Sequence, residues 1–179
     1  LKLLTDTQQN VLSKIHELDF SFITPDGEGF RASAFYQRTG LSVVFHHIPQ
    51  RVRTLEDLNA PPIMKDLCHR KSGLILVVGY SGSGKSTTMA ALINHINETR
   101  RTHIVTLEDP IEFVHTNKQS LISQRQIHRD TYSFSMGLTA ALSEDPQVIV
   151  IGELRDPATI HLALTAAEMG YLVISTMHV

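Results

Sequence analysis

Apolar positions are spaced in two different ways along this chain, and the change comes near residue 50. In the first stretch, Val11, Leu12 and Ile15 fall at i, i+1 and i+4, which places them on one side of a helix. Thr5 or Asp6 stands where such a helix needs a cap. Three strand-like runs follow at 20–23, 30–35 and 41–48, broken by Pro25-Asp26-Gly27 and Arg38-Thr39-Gly40. The pattern predicts an antiparallel meander with one helix, an α+β unit over residues 1–52. Residues 53–71 read as linker and connecting helix. Thr54 and Asp57 are spaced like a capping box, and Pro61-Pro62 ends one turn and opens a helix.

From residue 72 the period switches to strand, helix, strand. Residues 74–78 form a continuous apolar run, as expected of a strand buried on both faces. Met89, Leu92, Ile93 and Ile96 then recur at helical spacing. Further strands are expected at 103–107, 148–151 and 172–176, with helices near 133–143 and 157–169. The last helix has Asp156 as cap, Pro157 at its first position and Gly170 as its stop. This alternation predicts an α/β domain over 72–179, with a mostly parallel sheet covered on both faces.

Composition narrows the class further. Sixteen Lys and Arg against 18 Asp and Glu leave a net charge of −2, so an electrostatically driven nucleic-acid binder is not supported. The single cysteine, Cys68, excludes an intrachain disulfide and a thiolate zinc cluster, and reads as a buried or inert thiol. No apolar run approaches the ~18 residues of a membrane-spanning helix. The first residue is not Met and the last residues sit inside an apolar run, so the chain is expected to be part of a longer protein cut at both ends.

The candidate chemistry sits on the second domain. Gly79-Tyr80-Ser81-Gly82-Ser83-Gly84-Lys85-Ser86 has a glycine, four variable positions, then Gly-Lys-Ser. Glycines let such a loop wrap with its N–H groups pointing inward, and the helix that follows adds its positive dipole end. Lys85 would reach the β- and γ-phosphates of a nucleotide, and the Ser86 hydroxyl would ligate Mg²⁺. Nucleotide contacts are expected from Gly79 through Thr87. A glycine-rich turn that binds nothing is the competing reading, and the flanking strand and amphipathic helix weigh against it.

Gln147-Val148-Ile149-Val150-Ile151-Gly152-Glu153 is a buried strand ending in an acid, the form of a strand that supports magnesium. Gly152 occupies the usual Asp position, so Glu153 would act alone, through a water. In Thr106-Leu107-Glu108-Asp109-Pro110-Ile111-Glu112-Phe113, three carboxylates lie within five residues at a strand end. A carboxylate partly shielded from water suits the activation of an attacking water; a solvated acidic loop is the alternative. His46, His47, His115 and His128 lack the spacing of a metal site and read as surface or interface histidines. Met89, Met136, Met169 and Met177 read as core filling.

Glu108-Asp109-Pro110-Ile111-Glu112-Phe113-Val114-His115, the stretch from Gln124 to Thr131, Gly152-Glu153-Leu154-Arg155-Asp156 and Ser175-Thr176-Met177-His178 together resemble the secretion-ATPase superfamily. Within it they look most like the PilT group, the type IV pilus retraction ATPases, and the likeness covers essentially the whole chain. It implies a RecA-like P-loop NTPase core preceded by a partial PAS-like domain, and a cytoplasmic protein peripheral to the inner membrane. It also implies ATP and Mg²⁺ as cofactors, a ring-shaped homo-hexamer, an inner-membrane pilus platform protein as partner, and no nucleic acid. By the same resemblance Glu112 matches the catalytic glutamate, Glu153 the Walker B glutamate and His178 a residue near the γ-phosphate. Arg125, Arg129 and Arg155 match family arginines.

Departures from that pattern are His46, Thr139 and Ser143, where relatives carry Arg, Gln147 in place of Asp, and Val179, where Thr is usual. The expected function is ATP hydrolysis driving pilus retraction. Pilus-assembly or type II secretion ATPases, and a catalytically weak accessory retraction ATPase, are the alternatives.

Overall fold

The computed structural model describes residues 3–49 and 51–178. Gln50 of the polar linker and Val179 lie outside the described residues. The chain divides into two compact units that part between Arg51 and Val52.

In the first unit, helix α1 (Asp6–Ile15) is opened by a reciprocal cap. The Thr5 hydroxyl accepts from the Gln8 N–H at 3.3 Å, and the Gln8 side chain accepts from the Thr5 N–H at 2.9 Å. His16, in the left-handed region at φ 66°, turns the chain out of the helix. Strands β1 (Glu17–Ile23), β2 (Gly29–Gln37) and β3 (Gly40–Ile48) form an antiparallel meander in the order β1-β2-β3. Among its described residues the buried apolar ones are Leu12, Ala32 and Ala34.

The second unit holds helices α2 (Ile63–Cys68), α3 (Lys85–Thr99), α4 (Phe134–Ala141) and α5 (Pro157–Glu168). Its strands are β4 (Gly73–Val78), β5 (His103–Glu108), β6 (Leu121–Gln126), β7 (Val148–Ile151) and β8 (Leu172–Met177). They form one parallel sheet in the order β4-β8-β7-β5-β6. Because side chains alternate along a strand, β7 feeds both cores. Val148 and Val150 pack with Leu92, Ile93 and Ile96 of α3, while Ile149 and Ile151 pack with Leu138 of α4 and Ala163 of α5. Parallel strands bring their C-terminal ends to one edge of the sheet, where ligands of α/β proteins sit.

Two local expectations change. β4 is not buried on both faces: it is an outer strand paired with β8, and Leu76 and Val78 are exposed. A continuous apolar run carries no information about sheet position. β6 has no counterpart among the expected strands, because Leu-Ile-Ser-Gln-Arg-Gln is too polar to read as one. It pairs in parallel with β5 on the other edge. The Thr54–Asp57 cap does form, with Asp57 accepting from the Thr54 N–H at 3.0 Å and Thr54 from the Asp57 N–H at 3.1 Å. It closes the turn expected ahead of Pro61-Pro62, with Leu55 buried. No helix among the described residues is long and apolar enough to cross a membrane.

Candidate functional site

Between β4 and α3 the chain makes a tight loop. Gly82 and Gly84 have φ of 76° and 91°, the left-handed region that costs glycine little. At Gly79 a Cβ would lie 2.7 Å from the Ser83 hydroxyl, so a larger residue there would force that hydroxyl to rotate away. Helix α3 starts at Lys85, with no side chain capping it, so its first N–H groups face the loop. The Lys85 ammonium folds back over the loop and donates to the carbonyls of Gly79 at 2.9 Å and Tyr80 at 2.8 Å.

Lys85 also begins a polar chain across the sheet edge. His178, just past β8, has Nδ1 3.4 Å from Lys85 Nζ and Nε2 3.2 Å from Glu153 Oε1. An ammonium can only donate, so Nδ1 accepts and Nε2 carries the hydrogen toward Glu153. The other Glu153 oxygen accepts from Arg155 Nε at 2.5 Å, and Arg155 Nη1 lies 3.9 Å from Asp109. Glu153 sits two residues past β7, where Gly152 lets the chain pass close to β5. A Cβ at Gly152 would stand 3.3 Å from the Leu107 carbonyl and 3.4 Å from the Glu108 Cα, tighter than ordinary van der Waals contact, so a side chain here would have to push the β5 backbone by a few tenths of an ångström.

The three clustered carboxylates have three environments. Glu108, at the end of β5, is 7% exposed. One of its oxygens accepts from the Thr106 hydroxyl at 2.6 Å and from the Gln124 amide at 3.0 Å. Burial pushes its carboxyl above the ordinary glutamate range, and the nearby Glu112 charge adds to the shift. Asp109 faces Arg155. Glu112 is exposed on the loop after β5, and its carboxylate makes no hydrogen bond or ion pair among the described residues. Beside it, His115 is pushed down to about 4 by burial and by Lys118, so its imidazole is neutral at physiological pH.

A cavity of about 390 Å³ unites these parts. Ser81, Gly82, Gly84, Lys85, Ser86 and Thr87 line it together with Glu112, Glu153 and His178. Gly79, Tyr80 and Ser83 shape the loop without lining the cavity, and the Tyr80 side chain is turned to solvent. Of the three arginines singled out, Arg155 lines the cavity. Arg125 and Arg129 instead engage Glu144 and Asp130.

Glu108, read only as one of three clustered carboxylates, and His115, read as a surface or interface histidine, also line the cavity. The alternation of Thr106 and Glu108 on β5 was the signal for a buried acid, since a hydroxyl two residues away on the same face is a ready partner. The arrangement offers inward N–H groups and one ammonium to an anion, with an exposed carboxylate and a His–Glu pair on the facing strand ends.

Comparison with known proteins gives a consistent picture. The family model for type II/IV secretion system proteins matches residues 30–179. A twitching motility protein of Neisseria gonorrhoeae is 52% identical over 175 residues, which is 98% of this chain and 47% of that protein. The type IV pilus retraction ATPase PilT of Pseudomonas aeruginosa is 48% identical over 176 residues, 98% of this chain and 51% of that protein. The crystal structure of the pilus retraction motor PilT with bound ADP superposes with a TM-score of 0.95 at 44% identity, covering 99% of this chain and 52% of that one. The chain thus spans about half the length of the curated relatives it matches.

Proposed function

This chain belongs to the type II/IV secretion system protein family, and from that premise we propose that it is the nucleotide-binding part of an ATPase that drives type IV pilus retraction. The observation that carries the reading is the single cavity gathering Lys85, Glu112, Glu153 and His178 around the glycine loop. The second unit then serves as a RecA-like ATPase core and the first as a partial PAS-like domain. The protein works as a homo-hexameric ring at the cytoplasmic face of the inner membrane, against a pilus platform protein.

In this reading ATP places its phosphates in the loop, and Lys85 exchanges the Gly79 and Tyr80 carbonyls for phosphate oxygens. Ser86 and Glu153 offer two hard oxygen donors, and no group of three metal-binding side chains occurs among the described residues. Such a donor set fits Mg²⁺, which takes the rest of its shell from phosphates and water and supplies charge neutralisation when bound. Glu112, exposed and unpaired, orients and polarises the attacking water. His178 senses the γ-phosphate through its contact with Lys85 while holding Glu153.

Glu112→Gln in the full-length protein tests this. It keeps the shape of the side chain but removes the carboxylate. Mg-ATP affinity is expected to stay near normal while turnover falls at least ~100-fold, the usual scale for loss of a general base. Retained turnover in Glu112→Gln, with loss in Glu108→Gln, would move the role to the wrong-looking buried carboxylate and overturn the assignment.

A further inference from the structure

Residues 109–118, which carry Glu112, form no helix or strand. Their backbone is nevertheless bonded at closely spaced points by side chains of neighbouring strands. The Gln126 amide oxygen accepts from the Ile111 N–H at 3.4 Å. The Gln124 amide does two things at once: its nitrogen donates to the Phe113 carbonyl at 2.9 Å and its oxygen accepts from the His115 N–H at 2.8 Å. The N–H of Glu112 itself is directed to the Glu108 carboxyl. Gln124 also donates to that same carboxyl at 3.0 Å, and the Thr106 hydroxyl donates to it from β5.

Gln124 and Gln126 are two apart on β6, so they share a face, and their partners across the ladder are Thr106 and Glu108. The bonds to the chain fall at 111, 113 and 115, on both sides of Glu112. Two amide side chains stand in for a missing sheet neighbour, while the Glu112 carboxylate is left exposed to the cavity.

We propose that Gln124 is a positioning residue that holds the Glu112 backbone at the site, with Glu108 and Gln126 as its supports. This deepens the proposed function and rests on it for the role of Glu112, but the clamp itself is a property of the chain and can be read without turnover. A misplacement of about 1 Å at a reacting group costs on the order of 100-fold in rate, so a polar clamp that leaves no contact with the ligand can still govern catalysis.

The test uses the full-length protein in two measurements. In the first, amide hydrogen exchange of the wild type is expected to show His115 protected at least ~10-fold over Val114 and Thr116, whose N–H groups have no partner among the described residues. Gln124→Met, equal in length but with no donor and only a weak sulfur acceptor, should largely erase the protection at His115. In the second, Gln124→Met should bind Mg-ATP within about twofold of wild type while kcat falls roughly 10- to 100-fold. Gln126→Met, which removes one long bond, should fall less. Fast exchange at His115 in the wild type, or a wild-type kcat in a folded Gln124→Met, would overturn the proposal. An inactive wild type would instead sink the proposed function, and the exchange contrast would still decide the clamp.

Discussion

Glu108, Asp109 and Glu112 are interchangeable on paper, and their surroundings make them three different acids. Glu108 lost its water on folding and gained the Thr106 hydroxyl and Gln124 amide, but desolvation dominates and raises its pKa above the usual 4.5. A raised acid binds more protons in the folded than in the unfolded chain. Its contribution is therefore complete below about 4.5 and is lost as pH climbs through the folded value. Glu108→Gln removes that loss while keeping an acceptor for Thr106. The variant's melting temperature relative to wild type should thus rise between about pH 4 and pH 8, the groups common to both proteins cancelling; a falling difference would mean that Glu108 is stabilised as the carboxylate. Lys85 calls for a different measurement. Its ammonium is the only cationic side chain in the glycine loop, so Lys85→Ala should abolish detectable nucleotide binding by direct titration and leave the far-ultraviolet circular dichroism unchanged. Unaltered affinity would remove this loop from consideration as the phosphate site.

At the scale of elements, close approach decides more than propensity. Helix α4 carries Gly137 in its interior, where Ala is ordinarily better by about 1 kcal/mol. Here a Cβ would lie 2.8 Å from Leu107 Cδ2 and 3.2 Å from the Thr131 methyl, and Leu107 is fully buried between sheet and helix. Overpacking of this kind costs roughly 1–3 kcal/mol, which outweighs the propensity gain. Gly137→Ala is accordingly expected to lower stability in denaturant unfolding, although a helix scale alone gives the opposite sign. Gly152 is a milder case, its backbone running close to Leu107 and Glu108 of β5, where a Cβ would meet them at 3.3 and 3.4 Å.

For the whole molecule, the proposed ring has a consequence in concentration. Within the cavity Arg155 is committed to Glu153 and Asp109, so in the proposed reaction the charge that develops on the γ-phosphate would be left to Lys85 and Mg²⁺. An arginine supplied by a neighbour is commonly worth 10³–10⁵ in rate. Arg31, Arg38, Arg51 and Arg53 of the first unit and the linker are the candidates. Specific activity of the full-length protein should therefore rise with concentration as rings form. Mixing Lys85→Ala protomers with protomers lacking the responsible arginine should restore part of it. A dilute monomer, verified by light scattering, that turned over ATP at the concentrated rate per chain would exclude shared sites.

Spacing along the chain carries the helix of the P-loop, the buried core strands β5, β7 and β8 and the turns of the first unit, because each is set by residues within a few positions of one another. Val148 and Val150 alternate with Ile149 and Ile151 whatever lies on either side, and Gly82 and Gly84 need φ above zero wherever the loop is placed. Position in the sheet is not local. Leu74 to Val78 reads as an inner strand until β8 is seen to be its only partner among the described residues, and Leu121 to Gln126 does not stand out as a strand until β5 supplies the hydrogen bonds that its polar side chains do not advertise. The same holds for the site. The glycine loop, Glu153 and His178 are legible as motifs, yet the 3.2 Å contact between the last two joins residues just past the ends of two different strands and exists only because β7 and β8 are neighbours. Which carboxylate is buried, which is paired and which is left facing the cavity was decided by desolvation and by the reach of Gln124 from an edge strand, and both are properties of three dimensions.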